Sequence, residues 1–387
     1  MFILIILLST VIYLATDIYL PAMPELCNYF KVSEDSMQLS ISLFILGASI
    51  SQIFYGAISD KYGRKVGLIT GLVASLIGTS TLVFAESADM FNFGRLLQGL
   101  GLGSCIAVPR SILPDLYSGK KLATYGSYMA MAAPIVLSTA PIIGAYIQYI
   151  YSWRGIFQFL LLYSICLIGL VIFKLPETNN FKANNATDLK IIKTNIIKIL
   201  SETTYIAGTI CSSAVMFSVY FYISSSPFII QNQAGASYIE YSWMMGANGI
   251  MIMAGAFINK TLIKYFSLNK MIKIGALTNL SCGLLLLAVV FFITQLSPLF
   301  VVLPCFLIFI GCGFTFSNSL AICLEKVHKN ALGVAVALFS TVQMLGGFLG
   351  SYSTSLISDD GVLSLSLAII IPSTLSFLSI KIFIKEE

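Results

Sequence analysis

Long apolar runs alternate with short polar breaks along the whole chain. The runs are long enough to cross a bilayer as helices, because a transmembrane helix needs about 20 mostly apolar residues. The expected fold is therefore an all-α membrane protein with twelve transmembrane helices. Six spans are predicted near 2–24, 36–58, 66–86, 91–114, 122–149 and 155–175, and six more near 203–231, 238–259, 271–294, 298–323, 331–357 and 362–384.

The longest polar stretch, 176–200, divides these spans into two sets of six. We interpret it as a cytoplasmic linker, part of which forms a helix on the membrane surface. The predicted domains are an N-terminal six-helix bundle, 1–175, the linker, and a C-terminal six-helix bundle, 201–387. A short repeat supports two similar halves, because Gly-Ala-Ile-Ser-Asp-Lys ends the second span at Lys61 and Gly-Ala-Phe-Ile-Asn-Lys ends the eighth at Lys260.

Basic residues predict the orientation of the spans. Eighteen Lys and Arg residues fall in one set of alternate loops, and only Lys31 and Arg154 fall in the other. Cytoplasmic loops carry an excess of positive charge, so both termini are expected in the cytoplasm. Frequent Ile, Lys and Asn residues are typical of an AT-rich bacterial genome, which suggests the inner (cytoplasmic) membrane of a bacterium.

Composition excludes several classes of protein. The chain is 57% hydrophobic and 10% charged, whereas about 25% of residues are charged in soluble domains, so a water-soluble enzyme is excluded. The net charge of +5 is explained by orientation and does not indicate nucleic-acid binding. The cysteines form no C-x-x-C pair, and His328 is the only histidine, so we expect no metal site, no catalytic triad and no enzyme activity.

Asp17 is the only carboxylate well inside an apolar run. At such a depth its charge costs roughly 2.5–3.5 kcal/mol, so a function is expected for it. Burial favours the neutral carboxyl and a nearby cation favours the carboxylate, so a moving cation switches a proton on and off. We interpret Asp17 as a proton carrier; the alternatives are a fixed ion pair and a cap on the break at Pro21.

Arg95 and Arg110 are the only cations inside spans, and both lie on the fourth. At about 1.5 Å per residue, Arg95 lies roughly 6 Å and Asp17 roughly 10 Å below the outer ends of their spans. Arg110 lies near the inner end. Arg95 is therefore the candidate partner of Asp17, with Gln98 one turn further on the same face; the alternative is an Arg95 that only extends to the outer interface.

The loop after the second span carries a dense motif. Gly56 permits close helix approach, Asp60 is an acid at a helix end, Gly63 allows a turn with positive φ, and Arg64 and Lys65 hold the loop inside. This stretch resembles the G-x-L-a-D-r-x-G-r-k signature of the major facilitator superfamily. The resemblance implies the major facilitator fold and a role for Asp60 in stabilising the outward-facing state.

Further segments resemble signatures of proton-coupled drug exporters and of the Bcr/CflA drug resistance family. Pro141 and Gly144 belong to a segment that resembles the antiporter motif, although Leu137, Ala140 and Ala145 stand where that motif favours glycine. The resemblance implies exchange of drugs for protons, with the first-span acid and the fourth-span arginine in coupling. The matching segments are 17–24, 95–99, 140–146, 153–157 and 226–231.

Aromatic and methionine side chains are the candidate substrate-binding residues. They lie on spans that line the cavity in this superfamily, and adaptable apolar surfaces suit varied amphipathic ligands. Each is equally compatible with ordinary packing. With Gln98, the set comprises Tyr13, Tyr19, Phe217, Tyr220, Phe221 and Met245.

Together these features predict a proton-coupled antiporter that exports drug-like amphipathic molecules by alternating access. The expected partners are small amphipathic molecules, protons and membrane lipid, the expected state is monomeric, and no cofactor beyond the coupling proton is expected. One alternative is a proton-coupled symporter that takes up a small metabolite. Another is a membrane receptor or enzyme that does not transport.

Overall fold

The computed structural model describes residues 1–179, 196–325, 327, 332–357 and 361–383. Within these ranges all regular structure is helical and no strand occurs, which confirms the predicted all-α membrane fold. The chain divides into two compact units, Met1–Leu189 and Lys190–Glu387, here called unit 1 and unit 2. Most of the predicted linker, and with it most of the predicted surface helix, lies outside the described residues, but residues 196–200 at its end are helical.

Eleven spans among the described residues are long and apolar enough to cross a membrane, with Phe2–Phe30 counted as one span. The described residues of unit 1 contain six α-helices, and those of unit 2 contain six long α-helices besides a helical segment at 196–200. Those of unit 1 are α1 (Phe2–Asp17), α2 (Met23–Phe30), α3 (Glu34–Tyr62), α4 (Arg64–Val83), α5 (Ala88–Leu116) and α6 (Gly119–Lys174). Those of unit 2 are α7 (Thr203–Pro227), α8 (Tyr238–Leu262), α9 (Leu268–Phe292), α10 (Pro298–Glu325), α11 (Leu332–Thr354) and α12 (Val362–Phe383).

Helix α6 combines the predicted fifth and sixth spans. A straight helix of 56 residues would be about 84 Å long, far beyond a hydrocarbon core of about 30 Å. Ser152 breaks it, because its backbone at φ 61° and ψ −178° is not helical. Arg154 then hydrogen-bonds the Ala85 carbonyl, whereas Ile172 lies at the opposite end of the unit beside Lys65. The chain therefore reverses at one residue, and the eleven spans contain twelve crossings.

The predicted first span is interrupted. Helix α1 ends at Asp17, a short 3-10 turn follows at Leu20–Ala22, and α2 continues to Phe30. Pro21 explains the break, because proline lacks an N–H and disfavours the helical conformation of the residue before it. The break places Asp17 at a helix end instead of inside a continuous helix.

An aromatic cluster fills the end of unit 1 where Ser152 lies. Phe91, Trp153 and Phe157 pack edge to face, with ring centroids 5.3 to 6.2 Å apart. The Tyr19 ring joins them at 5.8 Å from Phe157. Buried aromatic pairs of this kind add specific geometry to apolar packing, so the cluster fixes the segment that follows Asp17.

Candidate functional site

Asp17 lies at the last position of α1 and its side chain is buried. The residue is 4% exposed, and among the described residues no group hydrogen-bonds its Oδ1 atom. The last carbonyls of a helix also give its C-terminus a partial negative charge. A carboxylate here therefore meets an unfavourable environment, which a proton or a cation relieves.

Arg95 lies on α5 and is fully buried. Its Nη1 atom donates to the Ala15 carbonyl at 3.1 Å and to Gln98 Oε1 at 2.5 Å. The guanidinium also stacks on the rings of Tyr19 and Phe44, with its carbon 4.4 and 4.1 Å from the centroids. The side chain thus points at the end of α1, and it does not extend to the membrane interface.

A short polar chain holds Gln98 in place. Its Nε2 atom donates to Thr79 Oγ1 at 3.0 Å, and the Thr79 hydroxyl donates to the Ser75 carbonyl at 2.8 Å. Because both Gln98 and Thr79 are buried, this chain fixes the oxygen that binds Arg95. Thr79 was not predicted from the sequence, since a threonine in an apolar helix gives no signal of its own.

Asp17 and Arg95 are close enough to interact electrostatically. Among the described residues, however, neither takes part in an ion pair. The Nε and Nη2 atoms of Arg95 also lack hydrogen-bond partners. Both groups therefore have polar atoms that the described structure leaves without a hydrogen-bond partner.

The predicted antiporter segment packs directly on this site. A β-carbon built at Gly144 of α6 would overlap the carbonyl oxygen of Ile18, the residue after Asp17. Pro141 lies one turn earlier and is buried. The absence of a side chain at Gly144 therefore lets α6 contact the backbone at the α1 break.

The predicted motif loop forms an ion-pair network at the opposite end of unit 1. Arg64 pairs with Asp60 through Nη1 and with Asp115 through Nε, the latter at 2.8 Å. Arg64 Nη1 also donates to Ser59 Oγ at 3.1 Å. Gly63 adopts φ 116°, which a side chain disfavours. The network joins the ends of α3, α4 and α5.

Residues after α6, predicted as the start of the linker, clamp this loop. The Glu177 carboxylate accepts the backbone N–H of Arg64 at 2.9 Å and of Lys65 at 3.3 Å, at the start of α4. Asn179 donates to the carbonyls of Ser59 and Asp60, at 3.2 and 2.9 Å, at the end of α3. The two side chains thus satisfy both helix ends that meet at the loop.

The charge of Glu177 is stabilised by these contacts. Partial burial acts to raise the pKa of Glu177, but the N–H groups of Asn179, Arg64 and Lys65 outweigh it and hold that pKa below its ordinary value. A β-carbon at Gly63 would overlap this carboxylate. The sequence offered one signal for the clamp, an acid directly after Pro176 at the end of the sixth span.

Gly56 of the motif has open space around it in this conformation. Gly56 was expected to permit close helix approach, yet a β-carbon built there would meet no atom within 4 Å. Gly56 is only half-buried, so the helices of unit 1 do not press on it. Its assignment to the conformational motif stays a prediction.

The predicted substrate residues fall in different environments, and their role stays a prediction. Tyr13 and Phe217 are half-buried, whereas Tyr19 is fully buried and its hydroxyl is 2.9 Å from Ser40 Oγ. In unit 2, the Tyr220 ring packs at Gly347. The two remaining residues, Phe221 and Met245, are buried at 2% and 4% exposure.

Within the described ranges, no group of three or more His, Cys, Asp or Glu residues that could hold a metal ion occurs. His328 lies outside those ranges. The part of the chain that the structure describes therefore supplies buried charge and apolar helices. These features are those of a multi-pass membrane protein.

The family follows from sequence comparison. The family model described as Major Facilitator Superfamily matches residues 5–351, so the chain belongs to this superfamily and is a transporter, not an enzyme. A bicyclomycin resistance protein homolog of Haemophilus influenzae is 23% identical, covering 89% of this chain and 86% of that protein. A chloramphenicol resistance protein of Pseudomonas aeruginosa is 26% identical, covering 89% and 80%. The names of these two relatives are consistent with the predicted relation to the Bcr/CflA family.

A solved structure supports the fold. A D-xylose-proton symporter matches with a TM-score of 0.77 at 14% identity, covering 99% of this chain and 96% of the symporter. At that identity the likeness concerns the fold alone. It agrees with a helical bundle architecture for the whole chain.

Proposed function

We propose that this protein exports small amphipathic compounds from the bacterial cytoplasm in exchange for protons, by alternating access in the inner membrane. The observation that carries the proposal is the buried Asp17 carboxyl with an unpartnered oxygen next to a buried Arg95. Relatives named for resistance to bicyclomycin and chloramphenicol support drug export. Since those two compounds differ chemically, we propose that several classes of compound are transported.

Asp17 is proposed to carry the proton. When it is neutral, its burial costs little, and Arg95 stays bound to Ala15 and Gln98. When it releases the proton, the buried charge needs a partner, and the free Nε and Nη2 atoms of Arg95 supply one. Each proton therefore moves Arg95 and the end of α1 relative to each other.

Substrate coupling follows from competition at this site. A compound that binds near the α1 break changes the space open to Arg95, so it favours one protonation state of Asp17 over the other. By reciprocity, proton release then favours substrate binding by the same factor. The short contact of Gly144 with Ile18 passes such a movement to α6.

The motif loop is proposed to control which side of the membrane is open. The distribution of basic residues favours a cytoplasmic location for this loop and for both termini. The Arg64 network and the Glu177 clamp join four segments of unit 1 there. Such contacts form in one access state and must break or shift in the other, so they set the balance between the two.

Asp17→Asn tests the function. Purified protein in proteoliposomes is supplied with a proton gradient and chloramphenicol, and both drug accumulation and internal pH are followed. Wild type is expected to accumulate drug in the lumen against its gradient while protons leave the lumen, and Asp17→Asn is expected to lose both movements while folding normally. Uphill accumulation with unchanged proton exchange in Asp17→Asn would contradict the assignment, and absence of any proton movement in wild type would contradict antiport.

A further inference from the structure

Unit 2 contains a buried polar cluster between α7 and α8. Tyr222 and Ser226 lie one turn apart on α7, and Tyr241, Met245 and Asn248 follow one another along one face of α8. All five are at most 4% exposed. We call these five residues the Tyr222 cluster. It belongs to a different unit from Asp17 and Arg95.

The hydrogen bonds of the cluster leave some of its groups unsatisfied. The hydroxyls of Ser226 and Tyr241 lie 3.0 Å apart. The Asn248 amide group donates to Met245 Sδ at 3.4 Å, and sulfur is a weak acceptor. The Tyr222 hydroxyl and the Asn248 carboxamide oxygen have no hydrogen-bond partner in the described structure.

Of these two unpartnered atoms, the Tyr222 hydroxyl can donate a hydrogen bond and the Asn248 oxygen can accept one. The two side chains are near enough to interact, but neither atom has a hydrogen-bond partner by distance and angle. Buried polar groups nearly always have partners, and an exception in a native structure calls for an explanation. In a transporter, a compound that enters the protein can supply the missing partner.

The surroundings suit an uncharged compound. No member of the cluster carries a formal charge, and the Tyr222 ring packs edge to face on Phe309 at 5.8 Å. Aromatic and thioether surfaces contact the apolar part of a ligand, while a few placed polar groups fix its orientation. Asn248 lies about 15 Å from the start of α8, which is near the middle of that helix. Transporters of this kind hold their substrate near the middle of the membrane.

The helix that carries Tyr222 has an irregular end. Helix α7 stops at Pro227 and continues as a π-helix, Phe228–Gln233. π-Helical segments are frequent at functional sites, because their hydrogen bonds readily change register. The cluster is closed in this conformation, and the π-helical segment, which begins six residues after Tyr222, gives α7 a place to open.

We propose that Tyr222 and Asn248 form a subsite that hydrogen-bonds a neutral hydroxyl or amide group of the transported compound. The inference rests on the proposed export function and deepens it, since it names the chemistry that unit 2 recognises. The Asn248 oxygen accepts from the ligand's O–H or N–H, and the Tyr222 hydroxyl donates to its oxygen. A buried water is the alternative occupant, and the test distinguishes the two.

Two isosteric changes test the subsite: Tyr222→Phe removes the hydroxyl, and Asn248→Leu removes the carboxamide. Binding to the purified protein is measured for chloramphenicol and bicyclomycin, which carry hydroxyl and amide groups, and for tetraphenylphosphonium, which carries neither. Each variant is expected to lose about tenfold in affinity for the two polar compounds and to keep its affinity for tetraphenylphosphonium. Thermal stability without ligand is expected not to fall, because an unpartnered buried group is being removed.

Thr315→Val is the matched control. Thr315 lies on α10 and its buried hydroxyl also lacks a partner, but it is not in the cluster. This variant is expected to bind all three compounds as wild type does. An equal loss for all three compounds in Tyr222→Phe and Asn248→Leu, or a lower melting temperature, would show a structural role instead.

Two kinds of result distinguish a failure of the proposed subsite from a failure of the proposed export function. Unchanged affinities in both cluster variants would show that water satisfies the two atoms, and the inference would be wrong. The same holds if wild type binds tetraphenylphosphonium but neither polar compound. If wild type binds none of the three and moves no protons, the proposed function itself fails.

Discussion

Arg95 donates a hydrogen bond to the carbonyl of Ala15, 3.1 Å away, and forms no ion pair with Asp17, two residues further along α1, in the described structure. The last carbonyls of a helix lack partners within it, and a cation there is favourable. Arg95 thus compensates the end of α1 whether or not Asp17 is charged. The same guanidinium keeps other N–H groups free for the carboxylate, so one residue supports both states of the proposed proton site.

Thr79→Val is expected to weaken coupling without unfolding the protein. The change removes the hydroxyl that holds Gln98 Nε2, so the oxygen that binds Arg95 is less well fixed. We expect uphill transport to fall roughly fivefold, equivalent to about 1 kcal/mol for one buried hydrogen bond. Thr81→Val is the control, since the Thr81 hydroxyl bonds only the carbonyl of Ile77 in its own helix.

The readout for Thr79 is the number of protons exchanged per drug molecule in proteoliposomes, together with the melting temperature. A positioning role predicts leakage, that is, proton movement without drug. If Thr79→Val lowers the melting temperature and leaves that ratio intact, the residue serves only stability.

Gly144→Ala is expected to abolish transport. The new methyl group would overlap the Ile18 carbonyl, so α6 must move away from the α1 break, and overpacking of this kind costs about 1–3 kcal/mol. Gly169→Ala on the same helix is the control, because a methyl group there meets no atom within 4 Å. Transport and stability are measured for both, and normal export by Gly144→Ala would show that the contact is not needed.

Some of this organisation was predictable from the sequence. The number of crossings follows from the length of the apolar runs, and Pro21 marked the break after Asp17. The reversal at Ser152 was not predictable in detail, because a serine with positive φ depends on the packing of Trp153 and its neighbours. Sequence spacing likewise predicted Arg95 near the level of Asp17, and the structure has it at the end of α1. Hydrogen bonds to a backbone carbonyl of another helix, however, leave no trace in a pattern of residue types.

Asp60→Asn is expected to slow conformational cycling. The change removes a charge from the ion pair with Arg64, while Asp115 still holds the arginine, so the loop stays folded and its preference for one access state weakens. We expect turnover to fall more than substrate affinity, measured by transport in proteoliposomes and by binding in detergent. A collapse of affinity with normal turnover per bound drug would place Asp60 in a binding site.

Glu177→Ala is expected to lower turnover to the same degree at pH 6 and pH 8. The pKa of Glu177 is lowered from its ordinary value of 4.5, so its stabilising contribution is present above that value and is lost only as the pH falls through the lower folded pKa. Loss of a helix cap costs about 1 kcal/mol of stability. An effect of this variant that disappears between pH 6 and pH 8 would contradict a permanently charged clamp.

Arg95→Ala is expected to shift the pH dependence of drug binding. If proton and drug compete at the site, raising the pH tightens drug binding to the purified protein, and the midpoint of this change reports the titration of Asp17. In Asp17→Asn the pH dependence should vanish, because no proton can be released. In Arg95→Ala the midpoint should move upward by about 1 pH unit or more, because a positive charge that favours the carboxylate is lost. A midpoint that stays in place would show that the two groups are not coupled, and Arg95 would then serve only as the partner of the Ala15 carbonyl at the end of α1.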